Sequence, residues 1–213
     1  MIVKAIEKLI SIGGPPLGGQ PPVISLPDFN SFGNRAQELL HLLELKNGFY
    51  AFESALEVFP AALFDGRMTL SRWNSHGLWK YEYEGLADGR LFFAQEGFGN
   101  QFCIFQDQIW FFEAETGNLE FSANNLNAWA EKILEDYDMQ TGYPLIHEWQ
   151  KRNGPLQADH RLMPKMPFVL GGKYELENLY SLKAISAMRT RGDLAKQIKN
   201  LPDGTKIKIS IIE

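Results

Sequence analysis

The side chains that most often perform catalysis or bind metals are few in this sequence and stand far apart. The histidines are His41, His76, His147 and His160, and no pair of them has the HxH or HxxxH spacing typical of metal ligands. The single cysteine, Cys103, lies in an apolar run without a cationic neighbour to activate its thiol, so we expect it to be buried and unreactive. The sequence therefore predicts no metal site, no cofactor and no cysteine nucleophile.

Two glycine motifs and one group of acids could belong to an enzyme, but turns explain each of them better. Gly97-Phe98-Gly99 matches half of a dinucleotide-binding motif, yet a third glycine is missing and a strand follows instead of a helix. Gly171-Gly172-Lys173 lacks the spacing of a phosphate-binding loop. Glu113, Glu115 and Glu120 could hydrolyse glycosides only across a cleft, and they flank a predicted hairpin turn instead. We expect a protein that is not an enzyme, with an enzyme whose site is not legible in the sequence as a minor alternative.

The distribution of charge indicates a basic protein partner. The 213-residue chain has a net charge of −5, which argues against direct binding of nucleic acid. Residues 92–140 contain nine acids and one base, whereas residues 141–213 contain seven acids and twelve bases. An acidic surface attracts cationic partners and accelerates their association. The alternative is that these acids are solvated residues of turns and helices that bind nothing.

The exposed parts of this acidic stretch supply the candidate partner-binding residues. Phe98 lies between two glycines at a predicted turn, where an exposed ring flanked by acids would be a suitable anchor for a partner. Trp73, Trp110 and Trp129 are expected to lie in the core. The predicted partner-binding residues are Glu96, Phe98, Asn100, Asp107, Glu113 and Glu115.

The middle of the chain has the pattern of an antiparallel meander packed against a helix. Aromatic runs at 91–94, 101–106, 109–113 and 119–123 are separated by short turns. The stretch 126–137 then carries apolar residues at helical spacing, and this stripe must pack on the sheet. The predicted fold class is α+β, with a single antiparallel sheet of about four to six strands, helices packed against it, and a C-terminal extension of helix and strand.

Weaker patterns predict the remaining elements. Before the meander we expect a first helix over 2–12, a Gly/Pro-rich linker from Gly13 to Pro22, and a helix carrying Ala36 to Leu43 that Ser31 or Asn34 caps and Asn47-Gly48 ends. A second short helix over 50–64 and a possible strand within 69–86 follow. After the meander we expect a helix over 143–152, an irregular stretch around Pro164 to Gly172, a strand within 174–186, a helix over 193–199 and a strand over 206–211. The predicted organisation is an N-terminal helix and linker (1–25), an α+β core (26–136) and an extension packed on that core (137–213).

Composition and segment lengths favour a cytoplasmic protein. Apolar residues make up 45% of the chain and charged residues 22%, which are ordinary values for a globular protein. No apolar segment approaches the ~20 residues that span a bilayer. Lys4, Glu7 and Lys8 interrupt the apolar run at the amino terminus, which makes it a poor secretory signal. A single cysteine cannot form an internal disulfide.

Several short motifs follow one another in a distinctive order between residues 26 and 136. They are a Leu-Pro segment, a helix ending in Asn47-Gly48, Trp73-Asn74, the run from Phe92 to Phe102 (FFAQEGFGNQF), Glu115-Thr116-Gly117, and Trp129 in the closing helix. This order resembles the SUKH superfamily, which includes bacterial immunity proteins and fungal regulators of cell-wall synthesis. Many members have an Asp soon after the turn where this chain has Asn100-Gln101, so the charge of that loop differs. The carboxyl third resembles extensions of longer bacterial members.

The resemblance implies an α+β fold that binds other proteins without catalysis. Its leading implication is an immunity protein that neutralises a toxin of a competing bacterium, and many such toxins are nucleases. A nuclease active site is basic because it binds phosphate, so an acidic surface could cover it. The alternative is an intracellular scaffold or regulator that binds a resident protein. The oligomeric state stays open.

Overall fold

The structure, a computed structural model, describes residues 4–20, 22, 24, 26–61, 68–202 and 204–205. The helices are α1 (Lys4–Ile12), α2 (Asn34–Leu45), α3 (Leu70–Trp73), α4 (Leu126–Glu135), α5 (Tyr137–Thr141), α6 (Tyr143–Asn153) and α7 (Ala184–Ile198). The strands are β1 (Phe49–Ala51), β2 (Leu56–Val58), β3 (Leu91–Glu96), β4 (Gln101–Phe105), β5 (Gln108–Phe112), β6 (Leu119–Ala123), β7 (His160–Pro164) and β8 (Leu179–Lys183). Short 3-10 turns cover Phe29–Phe32, Lys80–Tyr83, Phe168–Leu170 and Leu176–Asn178.

Six strands form one antiparallel sheet in the order β1-β2-β3-β4-β5-β6, so each strand pairs with its neighbour in the chain. The predicted α+β class, with antiparallel strands and helices packed against them, is confirmed. The four predicted meander strands correspond to β3, β4, β5 and β6, and the helix predicted over 126–137 corresponds to α4. Strands β7 and β8 form a separate two-stranded antiparallel sheet in the carboxyl third.

Strand β3 lies at the centre of the core and is covered on both faces. All six of its residues are buried, which explains why its first four, Leu91 to Ala94, form a continuous apolar run rather than an alternation. Phe93 packs edge-on against Trp129 of α4, with ring centroids 5.1 Å apart. Phe92 packs edge-on against Trp79, with ring centroids 5.0 Å apart. Helix α4 therefore covers one face of the sheet, and the segment from α3 to Tyr83 covers the other.

The helix predicted over 50–64 is wrong in the described part of that range, where β1 and β2 form a hairpin. Phe52, Glu53 and Ser54 have φ angles of 51°, 52° and 72°. Three successive left-handed residues reverse the chain, and a right-handed helix cannot contain them. Residues 62–64 of the prediction lie outside the described residues.

The strand suggested within 69–86 is also wrong, because this segment forms α3 and the 3-10 turn Lys80–Tyr83. Thr69 caps α3 by accepting a hydrogen bond at 3.2 Å from the backbone N–H of Arg72. Trp79 and Tyr83 are both fully buried, and their spacing of four is that of a helical turn.

Helix α2 begins without either of its predicted caps. Asn34 is the first helical residue, and Gly33 precedes it with a φ of 73°. The backbone N–H of Arg35 donates to Asp107 Oδ1 at 3.0 Å. A carboxylate distant in sequence therefore satisfies this helix terminus, where negative charge is also favoured by the helix dipole.

The carboxyl third has more regular structure than predicted. Strand β7 ends at Pro164, the first residue of the stretch expected to be irregular, and α7 begins at Ala184 rather than near Asp193. Helix α6 matches the helix predicted over 143–152, and β8 lies within the strand predicted over 174–186. The strand predicted over 206–211 lies outside the described residues. None of the helices in the described part of the chain is long and apolar enough to cross a membrane.

Candidate protein-binding surface

Three turns of the sheet meet at one end of it, which we call the turn end. They are the β1–β2 turn (52–55), the β3–β4 turn (97–100) and the β5–β6 turn (113–118). The register places Leu56 opposite Glu96 and Gln101 opposite Phe112, so all three turns lie at the same end of the strands. The β4–β5 turn, which contains Asp107, lies at the opposite end.

The structure brings five of the six predicted partner-binding residues together at the turn end, but it does not expose them all. Glu96, Phe98 and Glu115 are only 3%, 5% and 5% exposed, so the expectation that they are exposed is wrong. Asn100 is half-buried, and its Oδ1 accepts the backbone N–H of Ala114 at 2.9 Å. Glu113 is exposed, as predicted.

Asp107 is exposed but lies away from the other five, and its carboxylate already has partners. Its Oδ1 accepts the backbone N–H of Arg35 at 3.0 Å and lies 3.6 Å from Arg35 Nε. The negative charge of Asp107 is therefore used to fix the start of α2.

The carboxyl third explains why the β3–β4 turn is buried. A Cβ atom added to Gly97 would lie 1.9 Å from Ile146 Cδ1, so α6 packs directly on the backbone of this turn. A Cβ atom added to Gly142 would lie 2.2 Å from the ring of Phe98, so the α5–α6 junction covers that ring. Both glycines are needed for close packing, and Phe98 serves as a core residue instead of an exposed anchor.

Glu96 and Glu115 belong to a buried charged cluster with Arg191. Glu96 accepts the backbone N–H groups of Phe98 and Asn100 at 2.9 and 2.7 Å. Burial nevertheless raises the pKa of the Glu96 carboxyl to about 7, against the opposing effect of those hydrogen bonds and of Arg191. Burial likewise raises the pKa of Glu115.

Arg191 extends from α7 beneath the turn end and is 2% exposed. Its Nη2 donates to the carbonyl oxygen of Leu162 at 3.2 Å, whereas its Nε and Nη1 find no hydrogen-bond partner among the described residues. A Cβ atom on Gly99 would lie 2.6 Å from Arg191 Nη1, so the β3–β4 turn leaves just enough room for the guanidinium. This cluster links α7 to the turns that carry Glu96 and Glu115.

A second buried network crosses the sheet beside that cluster. Trp73 Nε1 donates to Gln101 Oε1 at 2.9 Å, and Gln101 Nε2 donates to Gln95 Oε1 at 3.2 Å. Gln95 Nε2 then donates to Glu57 Oε2 at 2.6 Å, and Arg161 pairs with the same carboxylate oxygen. The neutral Gln101 thus has an internal structural role.

The exposed part of the turn end centres on the β1–β2 turn, which is strained. Each left-handed L-residue costs on the order of 1 kcal/mol, and three of them follow one another here. Contacts with α5 and α6 hold this turn. The ring of Phe52 stacks on Tyr137 at 4.7 Å, and Gln150 Nε2 donates to the carbonyl oxygen of Glu53 at 2.9 Å. His147 Nδ1 lies 2.7 Å from Glu53 Oε2, so the carboxylate position is fixed as well.

Acidic and apolar side chains are exposed together next to this turn. Every residue from Glu135 to Met139 is exposed, and this run joins α4 to α5. Met139 is 78% exposed and Tyr137 is 37% exposed. We define the corner surface as Phe52, Glu53, Glu135, Asp136, Tyr137, Asp138, Met139, Tyr143 and His147.

The corner surface combines the features expected of a site for a basic protein. Glu53, Glu135, Asp136 and Asp138 supply four carboxylates, and Tyr137 and Met139 supply apolar contact area. Three of these acids, Glu135, Asp136 and Asp138, lie in the acidic stretch 92–140 but were not among the predicted partner-binding residues. The sequence feature that could have indicated them is the run EDYDM (135–139), in which acids interrupt the apolar residues at helical spacing near the end of the predicted helix.

Metal ligands and the cysteine thiol are the remaining candidates for chemistry in the described part of the chain. No group of three or more His, Cys, Asp or Glu in the described residues could hold a metal ion. Cys103 is buried, and burial raises the pKa of its thiol to about 12. Trp73 and Trp129 are buried, and Trp110 is half-buried.

Fold and surface define an α+β protein with a six-stranded antiparallel meander and an acidic, aromatic corner. No family model and no curated protein matches the chain. The crystal structure of Atu4351 from Agrobacterium tumefaciens is similar, with a TM-score of 0.60 and 17% sequence identity over 91% of this chain and 89% of that chain. At this identity the likeness is one of fold alone.

Proposed function

We propose that this protein binds and neutralises a basic protein toxin, such as a nuclease domain, through the corner surface. The observation that carries the proposal is the exposed acidic and aromatic run from Glu135 to Met139, which lies against a strained turn presenting Glu53. The resemblance to the SUKH superfamily, with its many immunity proteins, supports the same function. Binding requires no cofactor and no catalysis by this chain.

The charges suit a partner with a phosphate-binding active site. Such a site concentrates Lys and Arg, and four carboxylates on one surface would attract it from a distance and pair with those cations on contact. Tyr137 and Met139 would supply the apolar contact that turns an encounter into a stable complex. Because stacking and hydrogen bonds already fix Phe52 and Glu53, little side-chain entropy remains to be lost when the partner binds.

The test is capture of partners from the native cells at low and at high salt, followed by binding measurements with the purified partner. We expect a small basic domain that arrests growth when expressed alone and is neutralised by this protein. The variant Glu135→Gln with Asp138→Asn should weaken its Kd about tenfold at low salt. The matched control, Glu7→Gln with Glu120→Gln, removes two exposed charges elsewhere and should leave the Kd unchanged.

Two other outcomes would each contradict a different part of the proposal. A partner that binds independently of ionic strength and of the corner variant would contradict the electrostatic surface. A retained resident complex without toxicity would contradict neutralisation and support a scaffold or regulatory role.

A further inference from the structure

A second site, separate from the corner surface, lies where β2 and β3 meet the beginning of α7. It is a cleft of about 240 Å³. Its walls are mainly apolar and include Phe59, Pro60, Trp73 and Ile185. Phe59 and Trp73 pack against each other with ring centroids 4.9 Å apart and are 1% exposed, so this part of the wall is rigid.

Charge at the floor of the cleft is compensated internally. Glu57 lies there, and its Oε2 accepts Gln95 Nε2 at 2.6 Å and pairs with Arg161. Glu57 Oε1 lies 3.0 Å from the hydroxyl of Tyr50. Because both carboxylate oxygens are occupied and one guanidinium balances the charge, the floor does not favour a cation.

The rim of the cleft carries an excess of positive charge. Arg72 and Lys183 line it and are exposed, and neither side chain forms a hydrogen bond or an ion pair with another described residue. Asp159 also lies on the rim, but its Oδ1 is 2.7 Å from His160 Nδ1. Two cations that have no side-chain partner among the described residues, above apolar walls, match a ligand that carries a negative head group on an apolar body.

We propose that this cleft binds a small organic carboxylate with a compact apolar body, such as an aryl-alkyl carboxylate. The apolar body lies against the partly exposed side chains of Met68 and Ile185, above the buried Phe59 and Trp73. The carboxylate lies at the rim between Arg72 and Lys183. Charge complementarity selects this class over a cationic or neutral molecule of the same shape. The site does not depend on the proposed toxin binding.

The test uses three probes that share one body and differ in head group: 3-phenylpropionate, 3-phenylpropanol and 3-phenylpropylammonium. Titration of the full chain is followed by ¹H–¹⁵N NMR, in which the indole N–H of Trp73 reports directly on the cleft wall. We expect saturation by the carboxylate with a Kd of about 1 mM, as suits a ligand of this size. The alcohol and the ammonium should bind at least about fivefold more weakly, since one or two ion pairs are lost.

Variants separate head-group recognition from burial of the body. Lys183→Gln should weaken binding of the carboxylate but not of the alcohol, and Ala158→Phe, at an exposed position lining the cleft, should abolish binding of all three probes. The control Lys151→Gln removes an exposed cation of α6, outside the cleft, and should change nothing. Equal affinity for the carboxylate and the ammonium, or shifts that never saturate at Trp73, would overturn the proposal.

Discussion

Replacing Glu96 with glutamine should flatten the pH dependence of folding stability. Burial raises the pKa of this carboxyl from 4.5 to about 7 in the folded protein, so the folded state binds the proton more tightly than the unfolded chain does. The stabilising contribution of protonated Glu96 is therefore complete below pH 4.5 and is lost as the pH rises to 7. For this shift the loss between pH 5 and pH 7.5 is about 2 kcal/mol.

Urea unfolding at pH 5 and pH 7.5, followed by tryptophan fluorescence, measures the free energy of unfolding at each pH. Over this interval the wild-type protein should lose about 2 kcal/mol more than Glu96→Gln. The quantity to compare is the change in the free energy of unfolding between the two pH values, not its value at one pH. Glutamine offers a single carbonyl oxygen to the two backbone N–H donors that the carboxylate accepts, so Glu96→Gln also changes stability in a way that does not depend on pH. Glu120→Gln, which removes an exposed carboxylate of β6, is the matched control. Equal losses in wild type and Glu96→Gln would refute the assignment of this pH dependence to the desolvated carboxyl.

Three further changes test other parts of the structure. Asn74→Ala should destabilise the fold by about 2–3 kcal/mol, because Asn74 exchanges two hydrogen bonds, of 2.9 and 2.8 Å, with the backbone of Phe92 at an irregularity of β3; an unchanged urea midpoint would count against this. Gly97→Ala should cost about 1–3 kcal/mol by displacing α6, and adding Ile146→Ala should restore part of that loss if the close contact is the cause. Cys103 should react with a thiol reagent at pH 8 only as fast as the protein unfolds, since it is buried and its pKa is raised to about 12; rapid reaction of the native protein would contradict its burial.

Local sequence was sufficient to predict the meander because its determinants are local. The aromatic runs of β3 to β6 are joined by short turns, and the helical stripe of α4 follows at once, so no distant contact is needed to recognise them. The fold class follows from this part alone, since a sheet and an amphipathic helix in succession must pack together.

Elements whose conformation depends on distant residues could not be predicted in the same way. The segment containing Phe52, Glu53 and Ser54 looks helical, but Tyr137 and Gln150, far along the chain, hold it in a left-handed turn. Helix α2 is capped by Asp107 rather than by a neighbour. Local patterns carry no information about partners at such separations, and the tertiary contacts override local propensity.

The exposure of two candidate site residues was predicted wrongly for a related reason. Acids in turns are usually solvated, so Glu96 and Glu115 were expected to face solvent, but the carboxyl third covers both of them and Arg191 lies beneath. A buried carboxylate that accepts backbone N–H groups looks in sequence like any exposed turn acid. What distinguishes Glu96 is its glycine neighbours, because Gly97 and Gly99 leave room for Ile146 and Arg191.

Coverage of the turns by the carboxyl third also determines which residues at the turn end remain exposed. Because α6 and the α5–α6 junction bury the β3–β4 turn, the surface of the turn end is formed by other, exposed residues. These include Glu53 and the run from Glu135 to Met139, whose positions are set by the same helices. Under the proposed function, the strain in the β1–β2 turn is the cost of holding Phe52 and Glu53 in place before a partner binds. If partner binding is the use of this surface, Gln150→Ala, which removes the hydrogen bond to the Glu53 carbonyl, should weaken binding even though Gln150 lies outside the corner surface.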